Sequence, residues 1–434
     1  MDKTHKGLSA LQLTMMALGT VIGGSFFLGS SVAIHAAGPS VIITYIIGGI
    51  LVYYILFALS EMTVAQPDAG SFRTYAAMAF GPGAGFVVGW VYWTGMVLSM
   101  SSEATAVSIL LRQWIPDIPI SWLGGAIIVG VTLLNLLGAD KLSKLESGLA
   151  AIKLLAIVSF IVVAFLLIVG AFRGAPPSGT GVLAQEPFMP GGIKGITGSL
   201  LIILFSYAGF EIIGLAASEA DNPRKTVPRA IKYTVLSLVG LYILSILAIL
   251  PLIPTRELGQ NVSPLVAVLN RRGIGWAGTV LNIVLITAIL STMLAAMFGL
   301  GRMIRSLADK QHAPRWLKDD HDVPRRGILF SGLSMLVALG LGLLFPSVYL
   351  FLTSSGGFAI LFTYAVIIAT QISVYLMGCA VFTGYCHCQY AVYTGSGTWN
   401  GSGHSYGCFI LHYLSCYKVF AAFCRGKSQT FRSC

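Results

Sequence analysis

Charge is scarce in this chain. Only 10% of its 434 residues are Asp, Glu, Lys or Arg, against roughly 25% in an ordinary soluble domain. Such a chain cannot clothe itself for water, so most of its exterior is expected to face lipid. Cysteine is missing from residues 1–378, and all seven fall between Cys379 and Cys434. A disulfide framework or cysteine-built metal centre in the body is thereby excluded. No GxxxxGK[ST] phosphate loop occurs, which argues against an ATP-driven pump. HExxH and GxSxG are also missing, so no protease or esterase machinery is visible and no enzyme is expected. The longest loops, 171–196, 254–275 and 301–327, are too short for a soluble domain.

Apolar residues fill the space that charge vacates. They make up 56% of the chain, and the mean hydropathy is +0.83. A helix needs about 20 apolar residues to cross a bilayer. Ten runs qualify: 13–36, 40–59, 84–111, 122–138, 147–170, 197–217, 230–253, 276–300, 328–345 and 347–375. Two weaker candidates follow at 376–393 and 406–424. Runs of this length favour helices over barrel strands, because lipid offers no partner to an unpaired backbone group. Lys3 and Lys6 precede the first run without a small-residue cleavage site, so a removed signal peptide is not expected.

The net charge of +11 could suggest nucleic acid. Its distribution points instead to the enrichment of Lys and Arg in cytoplasmic loops. With the N-terminus inside, seventeen Lys and Arg lie on the cytoplasmic side. Six lie outside: Arg112, Arg173, Lys194, Arg256, Arg271 and Arg272. A cytoplasmic N-terminus in the cell membrane is the expectation, with no nucleic-acid partner.

Two spans carry signs of interruption. The first contains Gly19, Gly23, Gly24 and Gly29, and the sixth sets Ser206, Ala208 and Gly209 beside Glu211. Glycine relaxes helical geometry and leaves backbone groups open to a ligand. A small-residue packing face would explain either cluster alone. If spans 1–5 and 6–10 form two repeats, however, the clusters fall in corresponding positions, and paired discontinuous helices point to a midplane transport site.

These features, taken in order, resemble the amino acid permeases of the amino acid–polyamine–organocation superfamily, amino acid transporter branch, over about 1–375. The segment 19–29 looks like that family's first-helix glycine motif. Residues 58–62 with Glu61, then Gly70, Ser71 and Phe72, look like its loop after helix 2, and 103–107 is similar to its acidic patch in helix 3. Residues 205–211, followed by Glu219, Ala220, Asp221, Asn222, Pro223, Arg224 and Pro228, match closely. So do Arg302 and Met303, then Ala313, Pro314, Val323 and Pro324. Ser25 departs from the pattern, standing where the family usually has glycine; its Cβ narrows the pocket.

The resemblance implies an all-α, LeuT-like fold of two inverted five-helix repeats, about 13–170 and 197–375, with the ligand between broken helices 1 and 6. A half-helix N-terminus suits a carboxylate, so the backbone at Gly23, Gly24 and Ser25 is assigned the substrate carboxylate. Carbonyls near Thr20 and Val21, and those around Phe205, Ser206, Tyr207 and Ala208, are assigned its ammonium. Phe205 aligns with the family's aromatic gate. Ionisable residues at depth are functional candidates, and Glu103, Lys153 and Glu211 are the three. Lys153 matches a helix 5 lysine that stands in for sodium in family members, and is expected to couple uptake to protons. A snorkelling side chain is the alternative for it. Glu103 and Glu211 are proton-relay or helix-tethering candidates, and Glu61 belongs to a cytoplasmic gate or a solvated end.

The expected activity is import of amino acids by proton symport, without cofactor or metal. Exchange of one amino acid or polyamine for another is the alternative, and a non-transporting receptor on the same scaffold is a third reading. The expected partners are an amino acid, protons and the bilayer; oligomeric state is left open. From Cys379 onward the composition changes: no Asp or Glu occurs in the remaining 56 residues. His404, Cys408, His412 and Cys416 recur at four-residue spacing, which can make a zinc site. An abrupt change where the family pattern stops reads better as a shifted reading frame, so 376–434 is set apart and given no metal.

Overall fold

The structure is a computed structural model, which describes residues 7–65, 71–171, 178–217, 220–259, 261–319, 321 and 323–393. For 139–147, 215 and 375–393 the backbone alone is described. Lys3, Lys6, Gly70, Arg173, Glu219, the expected span 406–424 and the His404–Cys416 spacing lie outside the described residues.

Fifteen α-helices make up the described residues, and no strand occurs among them. The first expected span is three pieces: α1 (Ala10–Val21), α2 (Gly24–Phe27) and α3 (Gly29–Ala37). After α4 (Val41–Ala65) come α5 (Ser71–Phe80), α6 (Pro82–Leu111), α7 (Ile120–Asn135) and α8 (Ala139–Val169). The sixth span is also divided, into α9 (Gly192–Ser206) and α10 (Ile212–Leu215). The rest are α11 (Pro223–Ile249), α12 (Pro264–Arg271), α13 (Gly275–Asp309), α14 (Arg325–Gly342) and α15 (Val348–Tyr393). The expected span 376–393 is thus no separate crossing; its backbone continues α15. Two helices outside the expected spans, α5 and α12, are short and amphipathic pieces of loop.

Seven helical stretches are long and apolar enough to cross a bilayer, while α1, α7 and α9 are shorter apolar helices. Twelve residues of α1 rise only about 18 Å, so α1 reaches the far side only together with α2 and α3.

The sidedness of α8 shows how the sequence sorts itself. Leu155, Val158, Val162, Phe165 and Val169 are exposed, at helical spacing. Lys153, Ile157, Phe160, Ala164 and Leu167 are buried on the opposite stripe. Lys153 therefore faces the protein interior and does not snorkel. At the centre lies α6, packed on α7, α13, α14 and α15. Its interior face carries Tyr92, Met96, Ser99 and Glu103, one turn after another.

Candidate functional site

Backbone hydrogen bonds account for the first break. A continuous helix would run N–H groups of Gly23, Gly24, Ser25 and Phe26 to the carbonyls of Gly19, Thr20, Val21 and Ile22. None of these four bonds forms. Phe26 turns back to Gly23 O at 3.1 Å. Gly24 N–H donates to Glu103 Oε2 at 2.6 Å, and Ser25 N–H to Glu103 Oε1 at 3.1 Å. On the other side, Lys153 Nζ donates to Gly19 O at 2.6 Å and Ile22 O at 3.2 Å. It also donates to Ala288 O at 3.2 Å and Thr292 Oγ1 at 3.1 Å, both on α13.

The break is therefore clamped by opposite charges from two other helices. The ammonium sits at the carbonyl end of α1 and the carboxylate at the amide start of α2, where backbone partial charges favour each. Glycine is required here for a local reason. A Cβ on Gly24 would lie 2.7 Å from Glu103 Oε2, and one on Gly23 3.2 Å. Among the described residues, the carbonyls of Thr20 and Val21 and the N–H of Gly23 find no hydrogen-bond partner.

The sixth span breaks differently. Gly209 has φ +107°, a conformation that residues with a side chain rarely adopt. Its place is tight as well, since a Cβ would meet Thr20 O at 3.2 Å. Here the two breaks touch. Glu211 closes the turn by accepting from Gly209 N–H at 3.0 Å, Tyr92 Oη at 3.0 Å and Tyr364 Oη at 3.0 Å. It thus ties the turn to α6 and α15, and Phe210 stacks on Tyr364 with centroids 4.9 Å apart.

Between the breaks lies a cavity of about 20 Å³, room for little more than one water molecule. Thr20, Val21, Ser25, Phe205 and Ala208, all named from the sequence, line it, and Glu103 reaches it too. Met96, Ser99, Met100, Gly209, Thr292, Ala296 and Ile360 complete the wall. Gly209 belongs to the interruption marked in the sequence; nothing there marked the others, because small and apolar residues on an interior face look like ordinary core. Gly23 and Gly24 border the site through the Glu103 clamp.

Ser206 and Tyr207 lie elsewhere. Neither lines the cavity: Ser206 O accepts from Tyr242 Oη at 3.0 Å, and Tyr207 Oη donates to Tyr45 O at 3.1 Å. The half-turn after Phe205 rotates them into a buried cluster with Tyr45 and Tyr242, where Tyr242 stacks on Phe26 with centroids 3.9 Å apart. A second cavity of the same size adjoins the first, lined by Thr20, Tyr92, Met96, Gly209, Glu211 and Ala296 among others. Glu61, at the end of α4, accepts from Gln371 Nε2 of α15 and is half-buried.

Residues 12–376 match the amino acid permease family. The chain belongs to that family. It is 35% identical over 377 residues to "Uncharacterized amino acid permease YtnA" of Bacillus subtilis, covering 86% of this chain and 81% of that one. To the gamma-aminobutyric acid permease of the same organism it is 33% identical over 372 residues, 85% and 79% of the two chains. To the aromatic amino acid transport protein AroP of Escherichia coli it is 34% identical over 348 residues, 80% and 76%. This permease is accordingly a helical, multi-pass membrane transporter of amino acids and not an enzyme. The match ends at residue 376, three residues before the first cysteine.

Proposed function

We propose that this permease imports amino acids across the cell membrane by proton symport, its N-terminus in the cytoplasm. The substrate is held between the two breaks, in a core of two inverted five-helix repeats, 13–170 and 197–375. One observation carries the reading: the first break already binds a carboxylate and an ammonium, those of Glu103 and Lys153. These are the two charged groups of an amino acid. Backbone groups that hold them from the protein's own side chains have the polarity to hold them from a substrate.

A substrate carboxylate seeking the amides of Gly24 and Ser25 meets the carboxylate of Glu103 there. Two like charges at that separation repel strongly in a site shielded from water. Glu103 therefore leaves by taking up a proton, and the substrate carboxylate takes its place. The substrate ammonium settles on the Thr20 and Val21 carbonyls, which have no hydrogen-bond partner among the described residues.

Lys153 is the coupling group. As an ammonium it offers three donors to the four acceptors around it. As an amine it offers two, and the end of α1 is held less firmly. Proton release from Lys153 thus loosens the break, with Glu103 as relay. Glu211, held by three donors, tethers the sixth break. A cavity of about 20 Å³ cannot hold an amino acid, so binding also opens the wall, with Phe205 as the moving gate.

Purified permease in proteoliposomes provides the test. A labelled amino acid is expected to accumulate above its external concentration when the outside is acidic, and to stop when the gradient is collapsed. Counterflow that persists undiminished with no pH gradient, without net accumulation under one, means exchange. Accumulation by the Lys153→Ala variant with an unchanged pH dependence refutes the role given to Lys153.

A further inference from the structure

Resting on that reading, we infer that the site selects neutral amino acids with apolar side chains, and that Met96 sets the side-chain size it accepts. The cavity is polarised end to end. Thr20, Ser25, Glu103 and Thr292 gather at the first break, where the two α-substituents bind. The rest of the wall is Val21, Met96, Met100, Phe205, Ala208, Gly209, Ala296 and Ile360, with one hydroxyl, that of Ser99, which donates to Gly95 O at 2.6 Å. A substrate anchored by its ammonium and carboxylate therefore points its side chain at this apolar end.

No charge is available there to meet a charged side chain. Among the residues lining the two cavities, Glu103 and Glu211 are the only Asp, Glu, Lys, Arg or His. Glu103 gives both oxygens to the Gly24 and Ser25 amides, and Glu211 is already engaged by three donors, Gly209, Tyr92 and Tyr364. Displacement of Glu103 does not change this, since it departs protonated and neutral. Lys153 faces the opposite side of the break and is held by four acceptors. A lysine, arginine or glutamate side chain would enter unpaired, and burial of an unpaired charge is heavily penalised.

Met96 lines both cavities, which also share Thr20, Gly209 and Ala296. Its side chain is the partition between them. Methionine is unbranched, with several rotatable bonds, and re-packs readily. Rotation of Met96 joins the two spaces and extends the site toward Ala295, Gly299 and Leu300, past Glu211, whose carboxylate is bound by Tyr92 and Tyr364. Side-chain length is accommodated in that direction.

The experiment is uptake of labelled leucine, phenylalanine, arginine and glutamate by the full-length permease in proteoliposomes, under an inward proton gradient. Leucine or phenylalanine is expected to enter at least ten times faster than arginine or glutamate. Arginine or glutamate entering at the leucine rate overturns the inference and leaves the carrier reading standing. Entry of none of the four amino acids tested removes the carrier reading, and the inference with it.

Two variants test Met96. Met96→Ala enlarges the apolar end and is expected to improve tryptophan as a competitor of leucine about tenfold, a size effect typical of apolar pockets. Met96→Asp supplies the missing charge and is expected to raise the arginine-to-leucine uptake ratio at least tenfold. Either ratio unchanged in a variant that still takes up leucine refutes the role of Met96. If neither variant takes up leucine, Met96→Leu decides: a wild-type tryptophan-to-leucine ratio there contradicts the partition.

Discussion

The two broken spans interrupt the same kind of helix in opposite ways. At the first break the backbone ends are held from outside, by an ammonium on α8 and a carboxylate on α6. At the sixth, Glu211 closes its own turn onto Gly209 and two tyrosines. In the proposed mechanism the external carboxylate gives way to that of the substrate while the ammonium of Lys153 stays; the internal clamp has nothing to exchange. The contrast teaches that an interrupted helix marks a site only where its freed groups are satisfied by replaceable partners.

Removing the external cation should have the largest effect. Lys153→Ala leaves the carbonyls of Gly19 and Ile22 facing a buried gap and Glu103 without its opposite charge. Loss of one partner from a buried charged set costs about 3–5 kcal/mol. Uptake should fall more than about 100-fold, and the detergent-solubilised protein should melt earlier. Near-normal uptake would show the first break to be self-supporting.

Next come the two carboxylates, where the account expects different phenotypes from one substitution. In Glu103→Gln the competitor for the amides is neutral, and a hydrogen bond to a charged group is worth about 1.5–3 kcal/mol. Substrate binding should tighten roughly tenfold or more and lose its pH dependence, while accumulation against a gradient fails. Glu211→Gln should lose about 2 kcal/mol of stability and keep the wild-type pH profile of binding. Tyr364→Phe, which removes one of the three donors, should cost about 1 kcal/mol. Binding measured across pH, with thermal melts, separates the cases; matching profiles for the two glutamine variants would erase the contrast.

The smallest effect lies far from both breaks. Asp319 accepts the N–H of Arg326, at the start of α14, and that of His321, each at 3.1 Å. Burial opposes its charge, but these two donors and the nearby His321 and Arg326 hold its carboxyl below the usual aspartate value. A carboxyl depressed in the native state stabilises the fold fully above its unfolded value of about 3.9. That contribution is lost as pH falls through the lower, native value. Asp319→Asn should cost about 1 kcal/mol at neutral pH and nothing in strong acid, read from melts with substrate uptake unchanged.

Much of this architecture could be read from the chain because the bilayer demands long apolar runs, and few other folds do. The glycines near residues 19–29 pointed to the first break, while the choice between an interior and a snorkelling Lys153 came only with the burial of α8. What the sequence hid was orientation after a break. Ser206 ends α9 and Tyr207 follows it, and their contacts with Tyr242 and Tyr45 hold both away from the cavity. Met96, Met100 and Ile360 were hidden for another reason: an apolar wall residue and an apolar core residue are the same letter. The partnership of Glu103 with Gly24 spans 79 positions, and no local pattern announces it.

A structure of the permease with an amino acid bound is the most direct examination of the central claim. The account predicts the substrate carboxylate on the amides of Gly24 and Ser25, its ammonium at the carbonyls of Thr20 and Val21, and Glu103 turned away from both amides. An amino acid seated elsewhere, with the Glu103 carboxylate still bridging those amides, would contradict it.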